Sequence, residues 1–370
     1  MRLLINQSPG YLFIDIANAI SKYDKVVLIC NSKRDLKRLN SNVKIIHIKP
    51  YDKSSLFKRL TSWVVSSIQI WWIIITRYNK DELLFSSNPP LASLLSFFLP
   101  NKHISYLVYD IYPDVLISGK IIKKDNVIGR IWSKINKKIY SRADHIYTLS
   151  EGMANCLSKY INREKIEIVP CWPDTSVLFH VDKKDNSFIK KYNLEGKFIV
   201  LYSGNLGYTH RVESIVYAAE RLKQYKNIHF VMIGEGGKKD LIRRMVTNAK
   251  LCNFTLLPYQ PIDILPYSLG AADIAVVTLD ISASQLSVPS KTFNLLYLGK
   301  TILCIGSDNS ELGKLVNKYS IGKVCSPDDI DSIVSFIKEM SINADELNKF
   351  NHNSRELSNQ FSVDNSMKFI

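Results

Sequence analysis

The sequence predicts two doubly wound α/β domains in tandem, and three observations carry that expectation. Short apolar runs alternate with amphipathic helical stretches, the pattern of parallel strands joined by crossover helices. The pattern occurs twice, interrupted between Cys171 and Gly196 by Trp172-Pro173-Asp174 and the charged run Asp182-Lys183-Lys184-Asp185-Asn186, which reads as a linker with little apolar content. A chain of 370 residues with 46% apolar composition is also long enough to bury two ordinary cores.

In the first half, Arg2 to Asn6 reads as a buried strand, and the loop Gln7-Ser8-Pro9-Gly10-Tyr11 turns into a helix with Ile14, Ala17, Ala19 and Ile20 on its apolar side. Val26 to Cys30 and Lys44 to Ile48 are further short strands. Glu82 to Ser87 ends at the turn Asn88-Pro89-Pro90, and Ile104 to Val108 ends at Tyr109-Asp110-Ile111-Tyr112-Pro113-Asp114. His145 to Leu149 leads into a helix opened by Ser150-Glu151, and Lys165 to Pro170 closes a set of about seven parallel strands. Ligands of open α/β sheets bind at the carboxyl ends of the strands, which makes Asp110 a site candidate. A carboxylate that only caps the turn before Pro113 fits that residue equally well.

The second half restarts with the strand Phe198 to Tyr202, the glycine loop Ser203-Gly204-Asn205-Leu206-Gly207 and a helix from Val212. His229 to Ile233 repeats this with Gly234-Glu235-Gly236-Gly237 and a helix beginning near Lys238. Phe254 to Leu257, Ala272 to Leu279, Thr301 to Ile305 and Lys323 to Cys325 are the remaining strands. Within Ser287 to Lys300, Ser290 is placed as an N-cap, Phe293, Leu296 and Tyr297 follow at helical spacing, and Gly299 stops the helix. An anion is favoured at such a helix start, and Lys291 adds a full positive charge; a capped core helix with a solvated lysine fits these residues as well. Neither glycine loop is the complete dinucleotide fingerprint. Both loops and the Ser290 helix open on one sheet edge, where glycine lets backbone approach a phosphate, so together they point to a nucleotide-diphosphate site.

Composition limits the function classes. The formal charge of +15 comes from lysines spread along the chain, which suits an anionic substrate or an acidic membrane surface as well as a nucleic acid. No helix-turn-helix, zinc-finger or aromatic RNA-binding signature accompanies the charge, so nucleic acid is not an expected partner. The six cysteines, at positions 30, 156, 171, 252, 304 and 325, show no metal-ligand spacing and read as free thiols in a reducing compartment. Met1-Arg2 runs directly into Leu3-Leu4-Ile5 without the regions of a signal peptide, so a cytoplasmic protein is expected. Trp63 to Ile75, with Trp71 and Trp72 and the flanking Lys58, Arg59, Arg77 and Lys80, is shorter than the ~20 residues that cross a bilayer. It reads either as a helix buried against the sheet or as one lying among lipid headgroups, with Leu91 to Leu99 extending the patch.

At the level of ordered motifs the chain resembles the retaining family 4 glycosyltransferases of the two-Rossmann GT-B fold, in the bacterial cell-surface polysaccharide branch with a Pro-Ser-Lys motif. The resemblance rests on Phe85 to Pro90, Asp110-Ile111-Tyr112-Pro113-Asp114, Thr148 to Met153, Ile168 to Trp172, Tyr202 to Gly207, Ala271 to Ala275, and Pro289-Ser290-Lys291 through Gly299-Lys300. It implies an acceptor domain over residues 1–172 with a C-terminal return over 355–370, and a nucleotide-sugar domain over 173–354, facing a central cleft. Donor contacts are then expected at Gly204, Asn205, Gly207, Gly234, Glu235, Tyr259, Gln260, Ser290 and Asn294. Lys291, Arg211 and Asp110 are expected at the reaction centre, and Gly10, Tyr11, Tyr112, Ser150 and Glu151 at the acceptor.

What the resemblance implies chemically is retaining transfer of a sugar, a hexose by type, from a nucleotide-diphosphate sugar, UDP-linked, to a polyprenyl-diphosphate-linked saccharide. O-antigen or capsule synthesis is the expected setting, with the protein peripheral on the cytoplasmic face of the anionic inner membrane. Neither a cofactor nor a metal is expected. The chain departs from the family where many members carry glutamates, at Asn294 and Leu286, and where many carry a lysine, at His210. A nucleotide-sugar enzyme of the same architecture that transfers to no acceptor, such as a UDP-sugar 2-epimerase, is the alternative.

Overall fold

The computed structural model describes residues 1–31, 35–52, 54–100, 103–118, 126–208, 210–278 and 288–370. The chain divides into two compact units, Met1–Cys171 with Val363–Ile370, and Trp172–Ser362.

The first unit is built on β1 (Arg2–Ile5), β2 (Val26–Cys30), β3 (Lys44–His47), β4 (Glu82–Ser86), β5 (Ile104–Val108), β6 (Ile146–Thr148) and β7 (Ile166–Ile168). They form one parallel sheet in the order β3-β2-β1-β4-β5-β6-β7. Strand order reverses between β1 and β4, so the crevice beyond their carboxyl ends is where such a sheet opens to a ligand. β2 is buried along its whole length, as a central parallel strand covered on both faces must be, whereas the edge strand β3 exposes Lys44 and His47.

One helix, Leu56–Arg77, covers the sheet with the tryptophan-rich segment, and Ser55 caps it by accepting from the Lys58 amide at 3.2 Å. Its two faces answer both sequence readings. Trp63, Ile70 and Ile74 lie in the core, and Trp71 packs partly against it. Phe57, Leu60, Val64, Ile68 and Trp72 form an exposed stripe at helical spacing, Trp72 being 62% exposed. No helix of the described residues is long and apolar enough to cross a membrane.

The second unit carries β8 (Phe198–Ser203), β9 (Ile228–Ile233), β10 (Phe254–Leu257), β11 (Ile274–Thr278), β12 (Thr301–Ile305) and β13 (Gly322–Cys325), all parallel, in the order β10-β9-β8-β11-β12-β13. Alternate residues of β8 feed two cores: Val200 and Tyr202 pack on one face of the sheet, Ile199 and Leu201 on the other. Each such side chain stabilises the fold by roughly 1.5–3 kcal/mol when fully buried. Leu279 and Ser287, expected in a strand end and a loop, lie outside the described residues, as does Leu286.

Two expectations about boundaries differ from the structure. The supposed linker is part of the second unit: Leu178, Phe188, Ile189 and Leu194 are buried in its core, and a short helix, Ser187–Lys191, is capped by Asn186. Its apolar residues are too widely spaced to show a period. Residues 355–362 also belong with the second unit rather than the first, since Leu357 is buried there and the Phe361 ring meets Phe293 edge-on at 4.8 Å. The return to the first unit is the 3-10 helix Val363–Phe369. Arg2 Nη1 donates to the Phe369 carbonyl at 2.8 Å, and the Phe369 ring lies 4.4 Å from Tyr147.

Candidate functional site

At the carboxyl edge of β8 the chain builds a seat for one cation. Tyr202 is fully buried and its hydroxyl donates to the Asn205 carbonyl at 2.7 Å, which fixes the loop that follows. The Lys291 ammonium lies 4.0 Å from the centre of the Tyr202 ring and 3.4 Å from the Ser203 carbonyl. A side chain at Gly204 would come within 3.0 Å of that nitrogen, so the glycine makes its room. Lys291 keeps some solvent access along its length, but its charged end is desolvated, and burial pushes its pKa down to about 7. No carboxylate among the described residues pairs with it. The solvated lysine allowed by the sequence is therefore not what the structure has.

Ser290 does not act as the expected cap. Its backbone is already helical (φ −57°, ψ −30°), its side chain caps nothing, and the helix Lys291–Tyr297 is only seven residues long. What this stretch offers an anion is the lysine rather than the helix end.

The glycine loops have a structural reason of their own. A side chain at Gly234 would overlap the Gly204 carbonyl oxygen, and one at Gly236 (φ +150°) would lie 2.5 Å from the Leu206 carbonyl carbon. The loops lie along each other: Gly204 N donates to Ile233 O at 2.9 Å, Leu206 N to Glu235 O at 2.8 Å, and Lys238 N to Leu206 O at 2.9 Å. Glycine is thus required for backbone to approach backbone. Two of the amides expected to face a phosphate are engaged, and those of Asn205 and Gly207 have no backbone partner among the described residues.

Around Lys291 the other charges divide. His210 donates from Nδ1 to the Thr278 carbonyl at 3.0 Å in its neutral tautomer; burial, with lesser effects of Lys291 and Lys238, lowers its pKa. Arg211 points elsewhere, its guanidinium 2.5 Å from exposed Asp328 and its amide donating to Thr278 Oγ1 at 3.2 Å. Sequence reasoning missed Lys238, only 9% exposed, whose ammonium meets Glu213 at 2.7 Å and the His210 carbonyl at 2.7 Å. Its place directly after Gly234-Glu235-Gly236-Gly237 was the available signal. Glu235 pairs with Lys239 at 2.5 Å. Tyr259 is exposed, burial raising its pKa while a hydrogen bond from the Glu235 backbone opposes, and Gln260 Nε2 donates to Pro258 O at 2.9 Å. Asn294 Oδ1 accepts from the Asp174 amide at 3.1 Å, so part of this side chain ties down the segment after Trp172.

In the first unit, Ser87 Oγ accepts from the amides of both Tyr109 and Asp110 at 3.0 Å, which sets the turn after β5. The Asp110 carboxylate makes no hydrogen bond among the described residues, so it does not cap the turn before Pro113. The residue is exposed, yet enough of the fold surrounds its carboxyl to push the pKa upward, with Arg59 acting in the opposite sense. Sequence reasoning also missed Arg59, treated there as a basic flank. Tyr112 is buried beneath Asn136, whose Nδ2 donates to its carbonyl at 2.6 Å. Gly10 precedes the helix Tyr11–Ile20 with open space where a side chain would be, and Tyr11 lies under the Arg38 guanidinium at 5.9 Å. Ser150 caps its helix by accepting from the Met153 amide at 3.2 Å, and Glu151 pairs with Arg163 at 2.8 Å. Those two residues have structural work and lie on the exit of β6.

Residues 184–357 match the family model of the glycosyl transferases group 1. The chain is 24% identical over 294 residues to WbjE of Pseudomonas aeruginosa, named as a glycosyltransferase, covering 78% of this chain and 73% of that protein. It is 27% identical over 241 residues to WcaI of Escherichia coli strain K12, named as a colanic acid biosynthesis glycosyl transferase, covering 64% of this chain but only 58% of that protein. In fold it superposes on HepE of Anabaena, solved in complex with UDP-glucose, with a TM-score of 0.75 at 14% identity over 99% of this chain and 97% of that one. The chain has the GT-B fold, and the family match and both relatives support a glycosyltransferase of group 1.

Proposed function

We propose that the protein is a retaining hexosyltransferase that moves a sugar from a UDP-linked donor held by the second unit to a polyprenyl-diphosphate-linked saccharide held by the first, in O-antigen or capsular polysaccharide synthesis. One observation carries the donor half: the desolvated ammonium of Lys291, without a counter-ion among the described residues, at the carboxyl edge of β8. A departing nucleoside diphosphate gains negative charge as the glycosidic bond breaks, and a fixed cation in a poorly hydrated place stabilises that charge more than one in water. Lys291 is assigned to the diphosphate, with the amides of Asn205 and Gly207 beside it, and no divalent metal is invoked. Asp110 is assigned to the acceptor side. In a front-side displacement the departing phosphate can itself take the acceptor proton, so the glutamates missing at Asn294 and Leu286 do not exclude transfer. The names of WcaI and HepE's bound ligand support a polysaccharide setting and a UDP-sugar donor.

The acceptor's lipid places the reaction at an anionic membrane surface. The exposed stripe of the helix Leu56–Arg77 supports that placement, as do Val127, Ile128 and Ile131, exposed on a helix that also carries Arg130, Lys134, Lys137 and Lys138. The short helix Pro90–Leu95 packs against both. Mass spectrometry of reactions pairing UDP-sugars with polyprenyl-diphosphate saccharides tests the proposal: an acceptor lengthened by one hexose supports it. Release of an isomerised UDP-sugar with no acceptor required would replace it with the epimerase reading.

A further inference from the structure

At the carboxyl edge of the first sheet, aromatic and polar side chains gather around Arg59. Arg59 sits one turn into the helix Leu56–Arg77 and lays its guanidinium 4.7 Å from the centre of the Trp63 ring, four residues on. Trp63 stacks on Tyr51, with centroids 6.0 Å apart and planes at 13°, and meets Tyr112 edge-on at 6.0 Å. Tyr112 in turn stacks on Trp132 at 5.8 Å and 15°. Four rings from four separate segments thus make one frame, in which Tyr51 and Trp132 remain partly exposed. Gln7 fastens the frame to the sheet by donating to the Lys49 carbonyl at 3.0 Å and the Ser62 carbonyl at 3.2 Å.

Arg59 lies within electrostatic reach of the hydroxyls of Tyr51 and Tyr112, and its Nε is buried without a partner among the described residues, as are Trp63 Nε1 and Gln7 Oε1. Asp110 lies within electrostatic reach of Arg59 and of both tyrosines, and its carboxylate makes no hydrogen bond among the described residues. A carboxylate that accepts, a guanidinium that donates and ring faces that meet C–H groups make up the chemistry that holds a sugar ring. Phosphate fits less well, because Asp110 would repel it.

We infer that Asp110 and Arg59 hydrogen-bond the hydroxyls of a neutral pyranose against the wall formed by Tyr51 and Trp132, with buried Tyr112 behind them. This rests on the reading of the first unit as the acceptor side of a glycosyltransferase, and it assigns the terminal sugar of the acceptor to that place. Arg59 reads the sugar rather than the lipid diphosphate.

The test uses the full chain, saturation-transfer NMR with methyl α-glucopyranoside, methyl α-galactopyranoside and methyl α-mannopyranoside, and a separate calorimetric titration with UDP. At least one pyranoside should show saturation transfer with the wild type. That signal should disappear in Asp110→Asn, weaken about tenfold in affinity in Arg59→Met and recover partly in Arg59→Lys, which keeps the charge if the methionine variant unfolds. UDP affinity should be unchanged in all variants. Failure of the wild type to bind any of the three pyranosides, or a signal indifferent to both Asp110→Asn and Arg59→Lys or Arg59→Met, overturns the inference. A wild type that binds a pyranoside in this way but not UDP leaves the subsite standing and removes the donor proposal instead.

Discussion

The ammonium of Lys291 lies 4.0 Å from the ring centre of Tyr202, and no other charged group among the described residues neutralises it. The ring, the Ser203 carbonyl and the space left by Gly204 hold the nitrogen where water is scarce. Desolvation alone brings its pKa down to about 7, and this gives the site a pH signature.

The first prediction is that UDP binding takes up a proton. Free Lys291 is largely neutral above its pKa of about 7, and a bound diphosphate favours the charged form. Calorimetry at pH 8 in buffers of different ionisation enthalpy should show uptake approaching one proton, absent in Lys291→Met, with affinity weakening from pH 7 to pH 9.

The second prediction concerns stability. The folded-state pKa of Lys291 lies below the ordinary lysine value of 10.5, so between about 7 and that value the unfolded chain binds more protons than the folded one. Stability from this group therefore rises with pH through that window, and its cost is fully present below it. Lys291→Met should raise Tm at pH 7 and flatten that part of the pH dependence, as thermal melting across the range would show. An unchanged profile would mean the lysine is solvated.

A third prediction separates two glycines. Gly234→Ala brings a methyl group onto the Gly204 carbonyl oxygen, and overpacking of this kind costs roughly 1–3 kcal/mol or more. Gly10→Ala meets open space and should leave stability within about 0.5 kcal/mol. Denaturant titration of both variants measures the contrast.

The fourth prediction concerns the membrane. Vesicles containing anionic lipid should co-sediment with the protein at low salt and release it as salt rises. Trp72→Ser should weaken binding several-fold with little effect on folding, since that ring is exposed, whereas Trp63→Ser should mainly destabilise, since Trp63 is 4% exposed. Equal binding by wild type and Trp72→Ser would remove this helix from any membrane role.

Both sheets were legible in the sequence because parallel strands buried on two faces are short continuous apolar runs, as Val26 to Cys30 and Phe198 to Tyr202 show. The segment after Trp172 was not, because Leu178, Phe188, Ile189 and Leu194 are buried without a repeat. Lys291 could be singled out from its place after Pro289-Ser290, but its desolvation could not, since the ring that covers it is 89 positions away at Tyr202. Arg59 escaped notice for the same reason: in sequence it flanks an apolar helix, and only folding brings it to Tyr51, Tyr112 and Asp110. The Gly204 and Gly234 loops were found, but the backbone-on-backbone contact at Gly234 was not, because two backbones pressed together leave the same sequence trace as one backbone pressed on a phosphate.

The most direct measurement is the turnover of Lys291→Ala at saturating UDP-sugar and acceptor, beside a UDP titration of the same variant. If Lys291 meets charge that grows on the departing diphosphate, turnover should fall by roughly 10²-fold or more, and Lys291→Arg should restore only part of it, a planar fork being a poor substitute for a compact charge. Turnover and UDP affinity like those of wild type in the alanine variant would contradict the account at its centre.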